Sequence, residues 1–153
     1  MTEGWTALLV EDSPRIRRIA AGARRIAVLG MRSERYADRP AHYVARYMHD
    51  MGVDVRPVPV VEPDVRTILG KPVYARVADV PPVVDIAVVF RRAEQVSGHV
   101  EDLLAARPRC VWLQSGIRDD ASAERLARAG ILVVQDRCLM VEHRAARAAG
   151  LAP

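Results

Sequence analysis

A chain of 153 residues that is 50% hydrophobic is long enough for one domain with a sizeable core and short for two. The net charge of +4 comes almost wholly from arginine, Lys71 being the only lysine. The arginines form no stripe and aromatic residues are 5% of the chain, which argues against a nucleic-acid surface built on stacked bases.

No apolar run approaches the ~20 residues of a membrane span. The segment Met1 to Val10 carries Glu3 and no basic flank, so it does not read as a signal peptide. With two widely spaced cysteines, Cys110 and Cys138, this predicts a cytoplasmic protein with free thiols.

In chain order, Ser13-Pro14 reads as an N-cap and first-turn proline, and Ile16, Ile19 and Ala20 recur at helical spacing up to Gly22. This predicts a helical extension over 1–22 and a domain over 23–148. Arg25 to Leu29 is a first strand ending at Gly30, and 31–39 is a polar loop. Pro40 opens a helix to Met51 with Val44, Tyr47, Met48 and Met51 on one face, stopped by Gly52. Val53 to Val58 is a second strand, and Pro57, Pro59 and Pro63 shape the loop after it.

Val65 to Leu69 reads as one helical turn stopped by Gly70, and Pro72 to Tyr74 as a short strand. Val83 to Phe90 is a near-continuous aliphatic run, as in a strand covered on both faces. A helix over Ser97 to Ala106 follows, then a strand from Arg109 to Gln114 that turns Cys110 toward a core. An Asp-capped helix over Asp119 to Ala129 stops at Gly130. A strand from Ile131 to Gln135 and a helix over 137–148 complete the pattern. Alternating strands and helices require parallel neighbours and right-handed crossovers, hence a three-layer α/β domain with a mostly parallel, doubly wound sheet.

In such sheets ligands bind beyond the carboxyl ends of the strands, where the strand order reverses. The candidate loops are Gly30-Met31-Arg32-Ser33, Pro59-Val60-Val61-Glu62-Pro63, Arg91-Arg92-Ala93-Glu94, Ser115-Gly116-Ile117-Arg118 and Asp136-Arg137-Cys138. Gly30 suits either close backbone approach to a phosphate or an ordinary turn. The helix after Pro40 points its positive end at this rim, and Arg32, Ser33 and Arg39 add donors. Arg91-Arg92 fits an anion contact or a solvated loop.

Several alternatives fail. Gly30 does not open a Gly-x-Gly-x-x-Gly fingerprint, and the second strand ends in Val58-Pro59 without the acidic residue that grips a ribose. There is no Walker motif, no Gly-x-Ser-x-Gly elbow, and no base near Gln114-Ser115-Gly116 in sequence. His42, His49, His99 and His143 show no metal spacing with cysteine.

At these loops the chain resembles the small bacterial CoA-binding proteins, single Rossmann-like domains similar to the N-terminal CoA-binding domain of the succinyl-CoA synthetase α subunit. The matching pieces run in family order over roughly 20–145: Ile26-Ala27-Val28-Leu29-Gly30, Asp38-Arg39-Pro40, Thr67-Ile68-Leu69-Gly70, Ala78-Asp79-Val80-Pro81, Val84-Asp85-Ile86, Val89-Phe90-Arg91, Val111-Trp112-Leu113-Gln114-Ser115-Gly116-Ile117 and Asp136-Arg137-Cys138. The resemblance implies CoA across the strand ends. Gly30 to Ser33 would meet its pyrophosphate, Phe90 and Arg91 would flank the nucleotide or pantetheine, and Gln114 to Ile117 would line the inner end.

Two departures bear on affinity. Met31-Arg32 lengthens the usual Gly-Ala-Ser loop, and the family's Asn-Pro-Lys is replaced by Pro59-Val60-Val61. Losing that lysine forfeits about 1.5–3 kcal/mol of charge-assisted contact, or roughly ten- to hundredfold in affinity, unless an arginine substitutes. The chain stops near the end of the synthetase's first domain, so the resemblance implies no ligation by this chain alone.

The expected function is binding of CoA or an acyl-CoA without catalysis. One alternative is an enzyme or redox protein using Cys138, with Arg137 and a helix N-terminus activating the thiol, against a half-buried structural cysteine. Another is an interaction subunit, homo-oligomeric or joined to a partner chain, in which Trp5, Leu8 and Leu9 either cover the core or meet the other chain.

Overall fold

The computed structural model describes residues 4–151; the first three residues of the extension expected over 1–22 lie outside the described residues. Five strands form one parallel sheet: β1 (Arg25–Leu29), β2 (Asp54–Val58), β5 (Ile86–Val89), β6 (Cys110–Leu113) and β7 (Leu132–Val134), in the order β2-β1-β5-β6-β7. The chain leaves β1 toward β2 on one side and returns to β5 on the other. The order therefore reverses between β1 and β5, as a doubly wound sheet requires.

Side chains alternate across the sheet. Ile26, Val28, Ile86, Val88, Cys110 and Trp112 face a layer with α1 (Ser13–Ala21), α2 (Pro40–Asp50) and α6 (Leu139–Ala148). Ala27, Leu29, Ala87, Val89, Val111 and Leu113 face the opposite layer, with α4 (Val100–Ala106) and α5 (Asp120–Arg128). Trp112 is fully buried and donates its indole N–H to the Arg137 carbonyl at 2.8 Å, which ties β6 to the turn before α6. Burial pushes the Cys110 thiol up to about 12, so this cysteine is an inert core residue.

The N-terminal segment is part of this packing. Leu9 forms a parallel bridge with Val133 at the β7 edge, and Val10 donates to the Val133 carbonyl at 2.9 Å. Trp5, Leu8 and Leu9 pack on the layer of α4 and α5, and the Arg128 guanidinium lies 4.7 Å from the Trp5 ring. Helix α1 packs along α6. Among the described residues no helix is long and apolar enough to cross a membrane.

Four elements differ from the sequence expectation, each for a local reason. The cap of α1 is Asp12, whose carboxylate accepts the Arg15 amide at 3.1 Å; Ser13 is the first helical residue. Val65 to Leu69 is not a helical turn: β3 (Thr67–Ile68) pairs antiparallel with β4 (Lys71–Pro72), across a two-residue turn with φ +55° at Leu69 and +71° at Gly70. Positive φ at both central residues is the type I′ geometry that suits hairpin twist. The aliphatic run from Val83 supplies a strand only from Ile86, because Asp85 turns its carboxylate onto the amides of Arg24 and Arg25 (2.9 and 3.0 Å) and Val83 is left 51% exposed. The helix expected from Ser97 begins earlier, as α3 (Ala93–Val96), where the Gln95 side chain accepts the Arg92 amide; a 3-10 turn through Ser97-Gly98-His99 separates it from α4.

The two edges of the sheet treat charge differently. At the N-terminal edge Asp54 accepts bonds from Arg25 (2.9 Å), Arg56 (2.9 Å) and Lys71 (3.2 Å). Burial works to raise the Asp54 carboxyl, but these bonds outweigh it and hold the group well below the usual carboxylate range. At the C-terminal edge Gly30 follows β1 with φ +83°, and a Cβ there would lie 2.3 Å from the Phe90 carbonyl oxygen. The neighbouring strand's own backbone occupies the space that glycine opens.

Two outcomes follow from these edges. Gly30→Ala combines left-handed backbone strain with a collision against main chain, so a loss of about 2–4 kcal/mol is expected; an unchanged urea midpoint would refute the assignment. A carboxylate depressed in the folded state adds stability above its unfolded pKa and withdraws it as acid titrates the folded form. Stability should therefore fall as the pH drops below about 4. Asp54→Asn should cost about 1–3 kcal/mol at neutral pH and flatten that acid slope, and parallel slopes for the two proteins in thermal melts would show that Asp54 is not responsible.

Candidate functional site

Parallel strands bring all their carboxyl ends to one edge, and a cleft of about 1030 Å³ opens over it. That volume lies at the upper end for small-molecule sites, roughly 300–1,000 Å³. Gly30, Arg32, Arg39, Phe90, Arg91, Arg92, Gln114, Ser115, Gly116 and Ile117 all line it. Residues as far apart as 30 and 117 meet there because β1, β5 and β6 are adjacent in the sheet.

Two residues expected at the site are placed elsewhere. Met31 is fully buried in the core layer beside α2, so only its backbone is left near the rim. Ser33 donates its amide (2.8 Å) and its hydroxyl (2.6 Å) to Glu62. The apolar core suits the Met31 thioether, and the buried Glu62 carboxylate satisfies Ser33, each better than the cleft would.

Glu62 organises the first loop. It is 6% exposed and also accepts Arg32 Nε at 3.2 Å. Burial works to raise its carboxyl, and the bonds from Ser33 and Arg32 outweigh that and lower it. The loop between β2 and β3 is thereby fastened to the loop after β1. Two other amides of that loop are committed too: Gly30 N–H to the Val58 carbonyl and Arg32 N–H to the Ala41 carbonyl. The N-terminus of α2 reaches the cleft through Pro40 and Ala41, but Pro40 has no N–H, and the amides of His42 and Tyr43 bond the Arg39 carbonyl. These bonds take up several of the donors at this helix end and loop, and the cationic side chains of the cleft add others.

Arg32 is paired with Glu62, whereas Arg39 and Arg91 are held in place without being neutralised. Arg32 and Arg39 stack over the Tyr36 ring at 3.8 and 5.1 Å. Arg91 donates from Nε to His99 Nε2 at 3.2 Å, so His99 presents an unprotonated nitrogen. Burial, followed by the Arg91 charge, lowers the His99 pKa and favours that neutral form. Among the described residues, Arg39, Arg91 and Arg92 have no carboxylate partner.

The β6–β7 side of the cleft carries no arginine. It holds Gln114, Ser115, Gly116, Ile117 and Cys138. The side-chain oxygen Oε1 of Gln114 accepts the Leu139 amide at 2.9 Å, capping α6. Asp136 accepts the Gly116 amide at 2.6 Å. Cys138 is half-buried at the start of α6, and the Arg137 guanidinium beside it in sequence is committed to Glu142, Ser13 and the Glu11 carbonyl at 3.2–3.4 Å.

Sequence reasoning named Val61 and Ala93 only as members of candidate loops, and missed Tyr43 and Gln95 in the wall, the clasping role of Glu62 and the orienting role of His99. Glu62 and Val61 sit in a loop the strand pattern does point to, but nothing local pairs Glu62 with a serine 29 positions away. His42 and His49 do not form a site: His42 is buried with Nδ1 on the Arg32 carbonyl at 3.0 Å, and the described residues hold no cluster of ligands for a metal.

The chain is similar to known proteins in sequence and fold. The uncharacterized protein YneT of Bacillus subtilis (strain 168) is 33% identical over 128 residues, 84% of this chain and 91% of its own length. A Thermus thermophilus protein of known structure is 40% identical, with a TM-score of 0.79 over 89% of this chain and 99% of that one. A hypothetical protein from Pyrococcus horikoshii OT3 is 26% identical, with a TM-score of 0.79 over 90% of this chain and 93% of its own. The model of the CoA binding domain matches residues 24–144, and the chain belongs to that family.

Proposed function

We propose that this chain binds CoA or an acyl-CoA in the cleft over the strand ends and carries out no reaction of its own. The observation that carries the reading is the set of arginines Arg39, Arg91 and Arg92 lining a cleft at the β1/β5 reversal; Glu94, the one carboxylate in its wall among the described residues, forms an ion pair with none of them. Arg39 and Arg92 are exposed and Arg91 is half-buried; cations gathered at one cleft give it a positive potential that attracts an anion, and guanidinium groups match phosphate geometry. Membership of the CoA binding domain family supplies the identity of the phosphate-bearing ligand.

The position of the family's lysine falls on Val61, which is 50% exposed at the cleft wall. Arg39, Arg91 and Arg92 replace that cation from the other side. A binding role is favoured over thiol chemistry by the commitment of Arg137 to Glu142 and α1, which removes the cation that an activated Cys138 would use. The packing of Trp5, Leu8 and Leu9 on their own core likewise favours a covering role for these residues over a docking surface.

Titration calorimetry with CoA, dephospho-CoA and ATP tests the reading. CoA should bind, with affinity falling as salt rises, because phosphate contacts are screened. Arg92→Ala and Arg39→Ala should each weaken binding by about ten- to hundredfold, the equivalent of one charge-assisted contact. Absence of binding by all three ligands at millimolar concentration would remove the proposal.

A further inference from the structure

The cleft is chemically polarised along the sheet. Its arginines stand at β1 and β5, and its uncharged residues stand at β6 and β7, one to three strand spacings away at about 4.8 Å each. An extended ligand with phosphates over the arginines lays its uncharged end over Gln114 and Cys138.

Gln114 is the unusual group at that end. It is 3% exposed. The bond from the Leu139 amide fixes its carbonyl oxygen, so the orientation of the side-chain amide is set and its nitrogen is turned away from α6. That Nε2 group has no acceptor among the described residues, and the residue lines the cleft. A nearly buried amide donor without a protein acceptor is left to the solvent that enters the cleft, and an acceptor that the ligand brings takes the place of that water.

Resting on the CoA reading above, we propose that Gln114 Nε2 donates to the carbonyl oxygen of an acyl thioester, so that the site selects acyl-CoA over free CoA. A thiol sulfur is a weak acceptor and leaves the donor unsatisfied. A thioester carbonyl satisfies it and seats the sulfur at the Cys138 end of the cleft.

The test compares acetyl-CoA with S-ethyl-CoA, a thioether of the same size without the carbonyl, by calorimetry on the whole chain. Adenosine 3′,5′-bisphosphate serves as a probe for the cationic end alone. The unaltered protein should favour acetyl-CoA over S-ethyl-CoA by about tenfold, equal to about 1.4 kcal/mol. Gln114→Glu keeps an acceptor for the Leu139 amide at a helix N-terminus that favours negative charge, and it removes the donor. It should retain the melting temperature, bind the bisphosphate as before, and lose the preference for acetyl-CoA.

Equal affinity for acetyl-CoA and S-ethyl-CoA in the unaltered protein, with the bisphosphate bound, would overturn the Gln114 assignment and leave the CoA reading intact. A preference that persists in Gln114→Glu would do the same. If none of the three ligands binds, the CoA reading itself fails and this inference goes with it.

Discussion

Strands β1 and β5 meet at the rim with the Phe90 carbonyl lying where a side chain on Gly30 would be. That contact holds the two strand ends together where the sheet order reverses, and every loop of the cleft is positioned relative to it. The glycine therefore serves the site indirectly. It lets two strands close so that the arginines after β5 and the loop after β1 share one wall.

The distribution of charge gives the sheet a direction. At the N-terminal edge three cations converge on Asp54, and Asp85 takes two backbone amides. Those charges are used within the protein. At the C-terminal edge Arg91 is oriented by a neutral histidine and Arg39 by an aromatic ring. Such partners fix a guanidinium without cancelling its charge. The same residue type is thus structural at one end of the strands and available to an anion at the other.

The uncharged end of the cleft follows a similar logic. Gln114 continues the inward parity of Cys110 and Trp112, and so reaches the layer of α6 and caps Leu139. One atom of its amide stabilises the fold while the other faces the cleft. Glu62 divides its role in the same way at the opposite end, fastening two loops from a buried position. Both are polar residues in places where apolar ones would pack, which is how a rigid core and a binding edge share side chains.

Alternating strands and helices, aliphatic runs and glycine stops were enough to determine the parallel sheet, its doubly wound character and the loops that would border a ligand, because burial periodicity and turn chemistry are local properties. The Trp112 to Ile117 and Asp136 to Cys138 pieces pointed to the family for the same reason. The hairpin at Thr67 to Pro72 was missed because two strands this short have no periodicity to read, and only their pairing defines them. Which donors were already spent was also outside the reach of the sequence. Met31 in the core, Ser33 on Glu62, Gly30 against Phe90 and the open amide of Gln114 are outcomes of contacts between residues distant in the chain, and such contacts exist only once the strands are side by side.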